Sequence, residues 1–100
     1  MIDSYRQAIE TQNLDLIRRI KPNLSAAEAR RFTEGFRAVS SQKVDFTILS
    51  IELNGNNSIV KLNRRDTLQA PGAPAHSAVS QQTIHLIRTG GRWVIDAIGQ

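Results

Sequence analysis

The sequence has 100 residues, of which 40% are hydrophobic and 22% charged, and this predicts one globular domain over residues 1–100 with a small core. Cysteine is absent, which excludes disulfide scaffolds, cysteine-based zinc sites and thiol nucleophiles. The net charge of +4 slightly favours anionic partners, but the basic residues are spread along the chain beside only five aromatic residues, so we expect no nucleic-acid binding.

Two short helices are predicted at the start of the chain. Apolar residues recur at helical spacing over residues 2–12, with Asp3 or Ser4 as the cap. Asn13 is a suitable cap for a second helix, and Pro22 ends it because proline cannot continue a helix. A cluster of basic residues closes this helix, and we expect it to be a solvated helix end: Arg18, Arg19 and Lys21.

A third helix is predicted from the S-x-x-E pattern of Ser25 and Glu28, which is typical of a capping box. Its apolar stripe is expected to pack into the core and consists of Ala29, Phe32, Phe36 and Val39. Most charged residues fall off this stripe, namely Arg30, Arg31, Glu34 and Arg37. Gly35 is unfavourable inside a helix, so we expect it to permit close approach of a neighbouring element.

Four strands are predicted after the helices, over residues 43–54, 58–68, 78–88 and 92–98. The apolar alternation of the first strand changes parity between Ile48 and Ser50, which indicates a β-bulge. The segment Gln69 to Ser77 is rich in Ala and Pro, so we expect a mobile, dispensable loop that contains His76.

The order of elements predicts an α+β fold, with the N-terminal helices on the concave face of a curved four-stranded antiparallel sheet. Trp93, in the last strand, is expected to cover the seam between helices and sheet. No signal peptide or membrane-spanning run is visible, so we expect a soluble chain of unknown localisation. Because the chain begins on a helix and ends on a strand, we also expect it to be a domain of a longer protein.

Three segments resemble the nuclear transport factor 2-like, or cystatin-like cone, superfamily, and especially its short accessory-domain forms in bacterial proteins. They are Y-x-x-A at Tyr5 and Ala8, NLDLIRRIKPNLS over residues 13–25, and GGRWVIDAI over residues 90–98. The resemblance implies a cone-like fold with a pocket between helices and sheet. Some members are enzymes, such as ketosteroid isomerases and SnoaL-type cyclases, whereas others bind a ligand or dimerise, so the fold alone does not assign an activity.

The sequence departs from the catalytic members where they commonly carry an acidic base, in the segment after the second helix. Here that segment is KPNLSAAEARRF, and its one carboxylate, Glu28, is already predicted to cap a helix. We therefore favour a non-catalytic module of a larger bacterial protein, for ligand binding or protein association, with no catalytic residues, cofactor or metal. The alternative is a small isomerase or cyclase acting on an apolar substrate in the pocket.

The candidate pocket-lining residues are Tyr5, Arg64, Asp66, Gln82 and Trp93, with Asp96 as a further polar candidate. Tyr5 is either a hydrogen-bond donor in the pocket or a packed core residue. Arg64 and Asp66 share the strand face of Val60, so they either line the mouth of the pocket or form an ordinary salt bridge.

A homodimer through the outer face of the sheet is the expected assembly, since helices cover only one side. Its central candidates are Thr83, His85 and Ile87, and protonation of His85 would weaken the association. The face is also expected to carry Lys61, Asn63 and Arg65, joined after the bulge by Leu49, Ile51 or Leu53. Two histidines, one of them in the loop, do not make a metal site, so none is expected.

Overall fold

The computed structural model describes residues 1–99 and contains three helices followed by four strands. The helices are α1 (Ile2–Glu10), α2 (Leu14–Ile20) and α3 (Ala26–Ala38). The strands are β1 (Ser41–Asn54), β2 (Asn57–Gln69), β3 (His76–Thr89) and β4 (Arg92–Gly99). They form one antiparallel meander in the order β1-β2-β3-β4, curved and unclosed, which confirms the predicted α+β architecture.

Side-chain caps begin two of the three helices, α2 and α3. The Asn13 side chain accepts a hydrogen bond from the Leu16 amide and caps α2. Ser25 and Glu28 form the predicted capping box at α3, with both reciprocal bonds present. The predicted cap of α1 was wrong, because the helix begins two or three residues earlier, after Met1, without a side-chain cap. Asp3 lies in its first turn instead, 2.6 Å from the Arg6 guanidinium.

The core lies between α1, α2 and the helix-facing side of the sheet. Its most completely buried side chains include Tyr5 and Ile9 of α1, Ile17 of α2, and Leu62 and Ile84 of the central strands. Fully burying an aliphatic side chain of this kind contributes about 1.5–3 kcal/mol. No residue of α3 is buried in the part of the chain that the structure describes, so this helix belongs to the rim of the fold.

The parity change in β1 is a β-bulge, as predicted. The β1–β2 pairing shifts between Ile48 and Ser50, and Leu49 is the extra residue. The bulge returns Ile51 and Leu53 to the helix-facing side, because they pair with Val60 and Ser58. The expectation that they join the outer face was therefore wrong. They are 61% and 70% exposed, since the helices do not reach this end of the sheet.

The connection between β2 and β3 is shorter than predicted. Gln69 ends β2, and His76 and Ser77 already pair with Leu68 and Thr67 in the sheet. His76 is therefore a strand residue and not part of the loop, which spans only residues 70–75. Within residues 1–99, no helix combines the length and the apolar character needed to cross a membrane.

Candidate functional site

A cleft of about 360 Å³ opens between α3, α1 and the helix-facing side of the sheet. Ile9 of α1 and Ile98 of β4 supply aliphatic surface, and Phe32 and Phe36 of α3 supply aromatic surface. The remaining lining is polar or small and consists of Tyr5, Glu28, Arg31, Gly35, Gln42, Arg64 and Gln82. The cleft is thus an apolar space with a few polar groups, which is the usual composition of a small-molecule site.

Helical periodicity explains how α3 forms one wall. The residues that face the cleft are Glu28, Arg31, Phe32, Gly35 and Phe36, which recur at intervals of three and four. This face includes Arg31, which the sequence analysis placed off the packing stripe. The expectation for Gly35 was wrong as well: among residues 1–99, no non-local atom lies within 4 Å of the position its Cβ would take, so the glycine opens onto the cleft.

Polar contacts hold α3 in place at both ends. At its start, Lys21 Nζ lies 3.1 Å from Glu28 Oε2 and donates a hydrogen bond to Asn23 Oδ1 at 2.9 Å. At its end, the Gln12 amide donates to the carbonyls of Phe36 and Val39, at 3.0 and 3.3 Å. Among the described residues α3 packs on α2 and makes no close backbone approach to the sheet. These side-chain contacts therefore help to set the width of the cleft.

Lys21 was predicted to lie at a solvated helix end together with Arg18 and Arg19, and for Lys21 this prediction was wrong. Both arginines are exposed, but Lys21 is only 4% exposed. A buried ammonium requires compensation by charge and hydrogen bonds, and here Glu28 and Asn23 provide it.

A hydrogen-bonded cluster lies at the floor of the cleft around Arg64. Its Nε donates to Asp66 Oδ1 at 2.8 Å. Its Nη1 donates to Tyr5 Oη at 3.1 Å and to Gln82 Oε1 at 3.3 Å. The Arg64 side chain is only 13% exposed, so these contacts fix one orientation of the guanidinium.

Tyr5 reaches this cluster from the core. Its ring stacks on Phe46, with centroids 5.6 Å apart and planes inclined by 15°. Burial raises the pKa of the Tyr5 phenol, and the neighbouring Arg64 charge opposes that rise. The phenol therefore stays protonated at neutral pH, where it can donate a hydrogen bond but cannot act as a base.

Glu28 is the one carboxylate among the described cleft-lining residues. Its pKa is lowered, first by the hydrogen bond from the Ser25 amide and then by the hydrogen bond from Lys21. A carboxylate stabilised in this way is a weak proton acceptor. The arrangement can therefore bind and orient a ligand more readily than it can remove a proton from one.

The predicted pocket candidates divide into three groups. Tyr5, Arg64 and Gln82 line the cleft together. Asp66 does not line it but accepts a hydrogen bond from Arg64 Nε. Trp93 lies outside the cleft, half-buried at the edge of the core, with the Arg88 guanidinium carbon 5.7 Å from its ring centroid.

Asp96 is an exposed residue outside the cleft, where its side chain and carbonyl accept hydrogen bonds from Asn23. Glu28 and Arg31 line the cleft, although they were not predicted to do so. Their three- and four-residue spacing from Phe32 and Gly35 was the available signal.

The outer-face candidates lie on one surface of the sheet. Thr83 pairs with Lys61, His85 with Ile59 and Ile87 with Asn57, and directly paired residues share a face. His85 is exposed, whereas Thr83 and Ile87 are partly covered. This surface is the side of the sheet opposite Ile84 and Leu86 of the core.

No protein-family model matches the sequence, and no curated protein matches it by sequence comparison. Solved structures do match, with TM-scores that indicate the same fold.

Kfla4162 from Kribbella flavida matches with a TM-score of 0.86 at 13% identity, over 98% of this chain and 82% of that chain. A proposed dehydratase of the nuclear transport factor 2-like family from Streptomyces avermitilis matches with a TM-score of 0.83 at 11% identity, over 96% and 86% of the two chains.

A third match is a proposed calcium/calmodulin-dependent protein kinase type II association domain from Thiobacillus denitrificans. Its TM-score is 0.78 at 15% identity, over 97% of this chain and 87% of that one. Structures of this fold thus include a proposed dehydratase and a proposed association domain. At sequence identities this low, the similarity shows a shared fold and does not assign a function. The helix order, the curved meander and these matches together show that the chain has the nuclear transport factor 2-like fold.

Proposed function

We propose that this chain is a non-catalytic binding module whose cleft takes a small ligand with an apolar body. The observation that carries the proposal is the cleft itself, in which aliphatic and aromatic side chains surround a fixed group of hydrogen-bond donors at Arg64 and Tyr5. Its volume of about 360 Å³ lies within the range of about 300–1,000 Å³ that is typical of small-molecule sites.

The state of the acidic groups favours binding over catalysis. A proton-abstracting enzyme needs a base within hydrogen-bond reach of its substrate. Glu28 is engaged by Ser25 and Lys21, and Asp66 is engaged by Arg64. An isomerase or cyclase would have to break one of these pairs to free a carboxylate. The catalytic alternative is therefore less well supported than the binding role, although one neighbour of the same fold is a proposed dehydratase.

Titration with the neutral aromatic probe 2-naphthamide, followed by backbone amide NMR, tests the binding role. A ligand of about 13 non-hydrogen atoms at about 0.3 kcal/mol per atom gives a dissociation constant of about 1 mM. We expect shift changes at Ile9, Phe32 and Ile98. The absence of binding by this probe and by the acid of equal size, 2-naphthoate, would contradict the proposal, as would shift changes confined to another surface.

A matched pair of leucine variants locates the site. Gly35→Leu places a side chain in the cleft, because open space lies beside that glycine. Ala26→Leu adds a leucine at an exposed position on the opposite side of the same helix. We expect Gly35→Leu to abolish the binding and Ala26→Leu to preserve it. Loss of binding in both variants would mean that α3 matters only for folding.

We further propose that the outer face of the sheet mediates homodimer formation. The helices leave this face uncovered, and it mixes apolar and polar side chains around Ile59, Thr83 and Ile87. A match to a proposed association domain supports the same role. Burying Ile87 in a twofold interface would contribute hydrophobic energy, with Lys61 and Arg65 placed at the rim.

Sedimentation at tens of micromolar tests the assembly and the face that it uses. We expect a dimer that Ile87→Lys converts to a monomer, while Leu53→Lys on the helix-facing side has no effect. We also expect the dimer to weaken at pH 5 and the His85→Ala variant to lose that pH response. A monomeric wild type would overturn the assembly, and disruption by Leu53→Lys alone would move the interface to the helix-facing side.

A further inference from the structure

The cleft has a cationic group aimed into it from a fixed position. Arg64 is held through Nε by Asp66 and through Nη1 by Tyr5 and Gln82, and its side chain is only 13% exposed. A guanidinium that is already oriented loses little conformational freedom when it binds an anion.

The second terminal nitrogen of Arg64 is free to bind. No acceptor among residues 1–99 makes a hydrogen bond with Nη2, and that nitrogen is not sealed from solvent within the described chain. Arg64 lines the cleft, whereas its carboxylate partner Asp66 is not among the lining residues. The cationic member of this pair is therefore the one that lines the ligand space.

The other charged residues that line the cleft also favour an anionic ligand. Arg31 lines it from α3 and is exposed, so it adds positive potential at the rim. The negative charge of Glu28 is matched by Lys21 at 3.1 Å. An anionic group of a ligand would thus meet Arg64 on the floor and Arg31 nearer the solvent.

From this arrangement, and resting on the binding role proposed above, we propose that the ligand is a small organic carboxylate. Its carboxylate accepts hydrogen bonds from Arg64 Nη2, and its apolar body lies among Ile9, Phe32, Phe36 and Ile98. The aromatic and aliphatic walls suit a flat ring system, and charge-assisted hydrogen bonds to the guanidinium supply the selectivity for an acid over a neutral analogue.

The test compares two probes of equal size, 2-naphthoate and 2-naphthamide, by NMR titration of the wild-type protein. A hydrogen bond to a charged group is worth about tenfold or more in affinity, so we expect 2-naphthoate to bind at least tenfold more tightly. Equal affinity would overturn the carboxylate proposal and leave the binding role intact. If neither probe binds, the carboxylate proposal and the binding role are both overturned.

Two further measurements assign the preference to Arg64. In the wild type, the Arg64 side-chain Nε–H resonance should shift with 2-naphthoate and remain in place with 2-naphthamide, a readout that needs no variant. Arg64→Met keeps an unbranched apolar side chain but removes the guanidinium, and we expect it to remove the preference while 2-naphthamide still binds. If the variant fails to fold, the Nε–H resonance decides, and its failure to shift would overturn the proposal.

A matched pair on α3 measures the contribution of the rim. Arg31→Gln should weaken 2-naphthoate binding severalfold, more strongly at low salt, because an exposed charge is readily screened. Arg30→Gln removes the same charge from an exposed residue that does not line the cleft, and it should have little effect. Equal effects of the two changes would mean that net charge alone, and not the geometry of the cleft, draws the anion.

Discussion

The buried pair of Lys21 and Glu28 offers a sharp test, because its two members differ in burial. The Lys21 side chain is 5% exposed and that of Glu28 is 30% exposed. Removing Glu28 strands a charge in the interior, whereas removing Lys21 leaves a carboxylate that water can reach. We therefore expect Glu28→Gln to destabilise the fold more than Lys21→Met does, although both changes delete the same ion pair.

The magnitudes follow from the geometry. At 3.1 Å and an effective dielectric constant near 20, the attraction between the two charges is about 5 kcal/mol before the cost of desolvation. Breaking a fully buried pair from one side costs about 3–5 kcal/mol. Because Glu28 is partly hydrated, we expect about 2–3 kcal/mol for Glu28→Gln. Lys21→Met retains most of the aliphatic stem and should cost about 1 kcal/mol or less.

The choice of glutamine separates the charge from the helix cap. Its amide oxygen can still accept the hydrogen bond that Glu28 accepts from the Ser25 amide, at 3.1 Å. The Ser25 side chain still accepts from the backbone amide of residue 28, so the capping box survives the change. The stability lost in Glu28→Gln therefore reports on the stranded ammonium group and not on the start of α3.

Urea unfolding at pH 7, followed by circular dichroism and Trp93 fluorescence, gives the free energies of unfolding. The double variant Lys21→Met with Glu28→Gln completes the cycle, and we expect it to be more stable than Glu28→Gln alone. If Lys21→Met costs as much as Glu28→Gln or more, desolvation of the lysine does not govern this pair and the reasoning fails.

The pH dependence provides an independent check. The folded state lowers the pKa of Glu28 below its ordinary value of 4.5. Its contribution to stability is therefore present above about pH 4.5 and is lost as the pH falls through the folded-state pKa. Lys21→Met removes one cause of the lowered pKa and should make the acid loss of stability shallower. An unchanged acid profile in that variant would place the cause elsewhere.

Three further perturbations test the periphery of the fold. Trp93→Ala should lower the free energy of unfolding, measured by circular dichroism, by about 3 kcal/mol, which is the low end for a large aromatic because the ring is half-buried. Trp93→Phe should lower it less. No loss of stability in either variant would show that the ring does not contribute to the core. Replacing residues 70–75 with a short turn should change the melting temperature by only a few degrees, and a larger fall would reveal packing of the loop that its exposure does not suggest. Gly35→Ala should raise stability by up to about 1 kcal/mol, since the added methyl meets no clash, and a loss would mean that this part of α3 is not regular helix in solution.

Local chemistry made much of the fold predictable from sequence. The capping box of Ser25 and Glu28 needs only four consecutive residues, so the pattern was sufficient. The bulge at Ile48–Ser50 was visible because side chains alternate strictly along a strand and a change of parity requires an extra residue. Its consequence was not visible, because which face Ile51 returns to depends on the partner strand.

The site was only partly predictable, because its remaining features depend on contacts between distant residues. Shared strand parity brought Arg64 and Asp66 into consideration, and helix periodicity did so for Tyr5. The burial of Lys21 depends on Glu28 across the turn into α3, and no local pattern in the sequence specifies how that turn packs. A lysine at the end of an amphipathic helix is ordinarily exposed, so the sequence predicted an exposed Lys21.

These contacts give the cleft an energetic basis different from that of the core. The core is held by apolar burial between α1, α2 and the sheet. By contrast, α3 has no buried residue among those described and is held by partial packing of Phe32, by Lys21–Glu28 at one end and by Gln12 at the other. Because none of its described side chains is fully buried, α3 can shift while the core stays intact. Changes at Lys21 or Gln12 should therefore alter ligand affinity by a larger factor than their effect on global unfolding would suggest. Changes at Leu62 or Ile84 should lower the stability of the whole domain first, because both side chains are fully enclosed in the core.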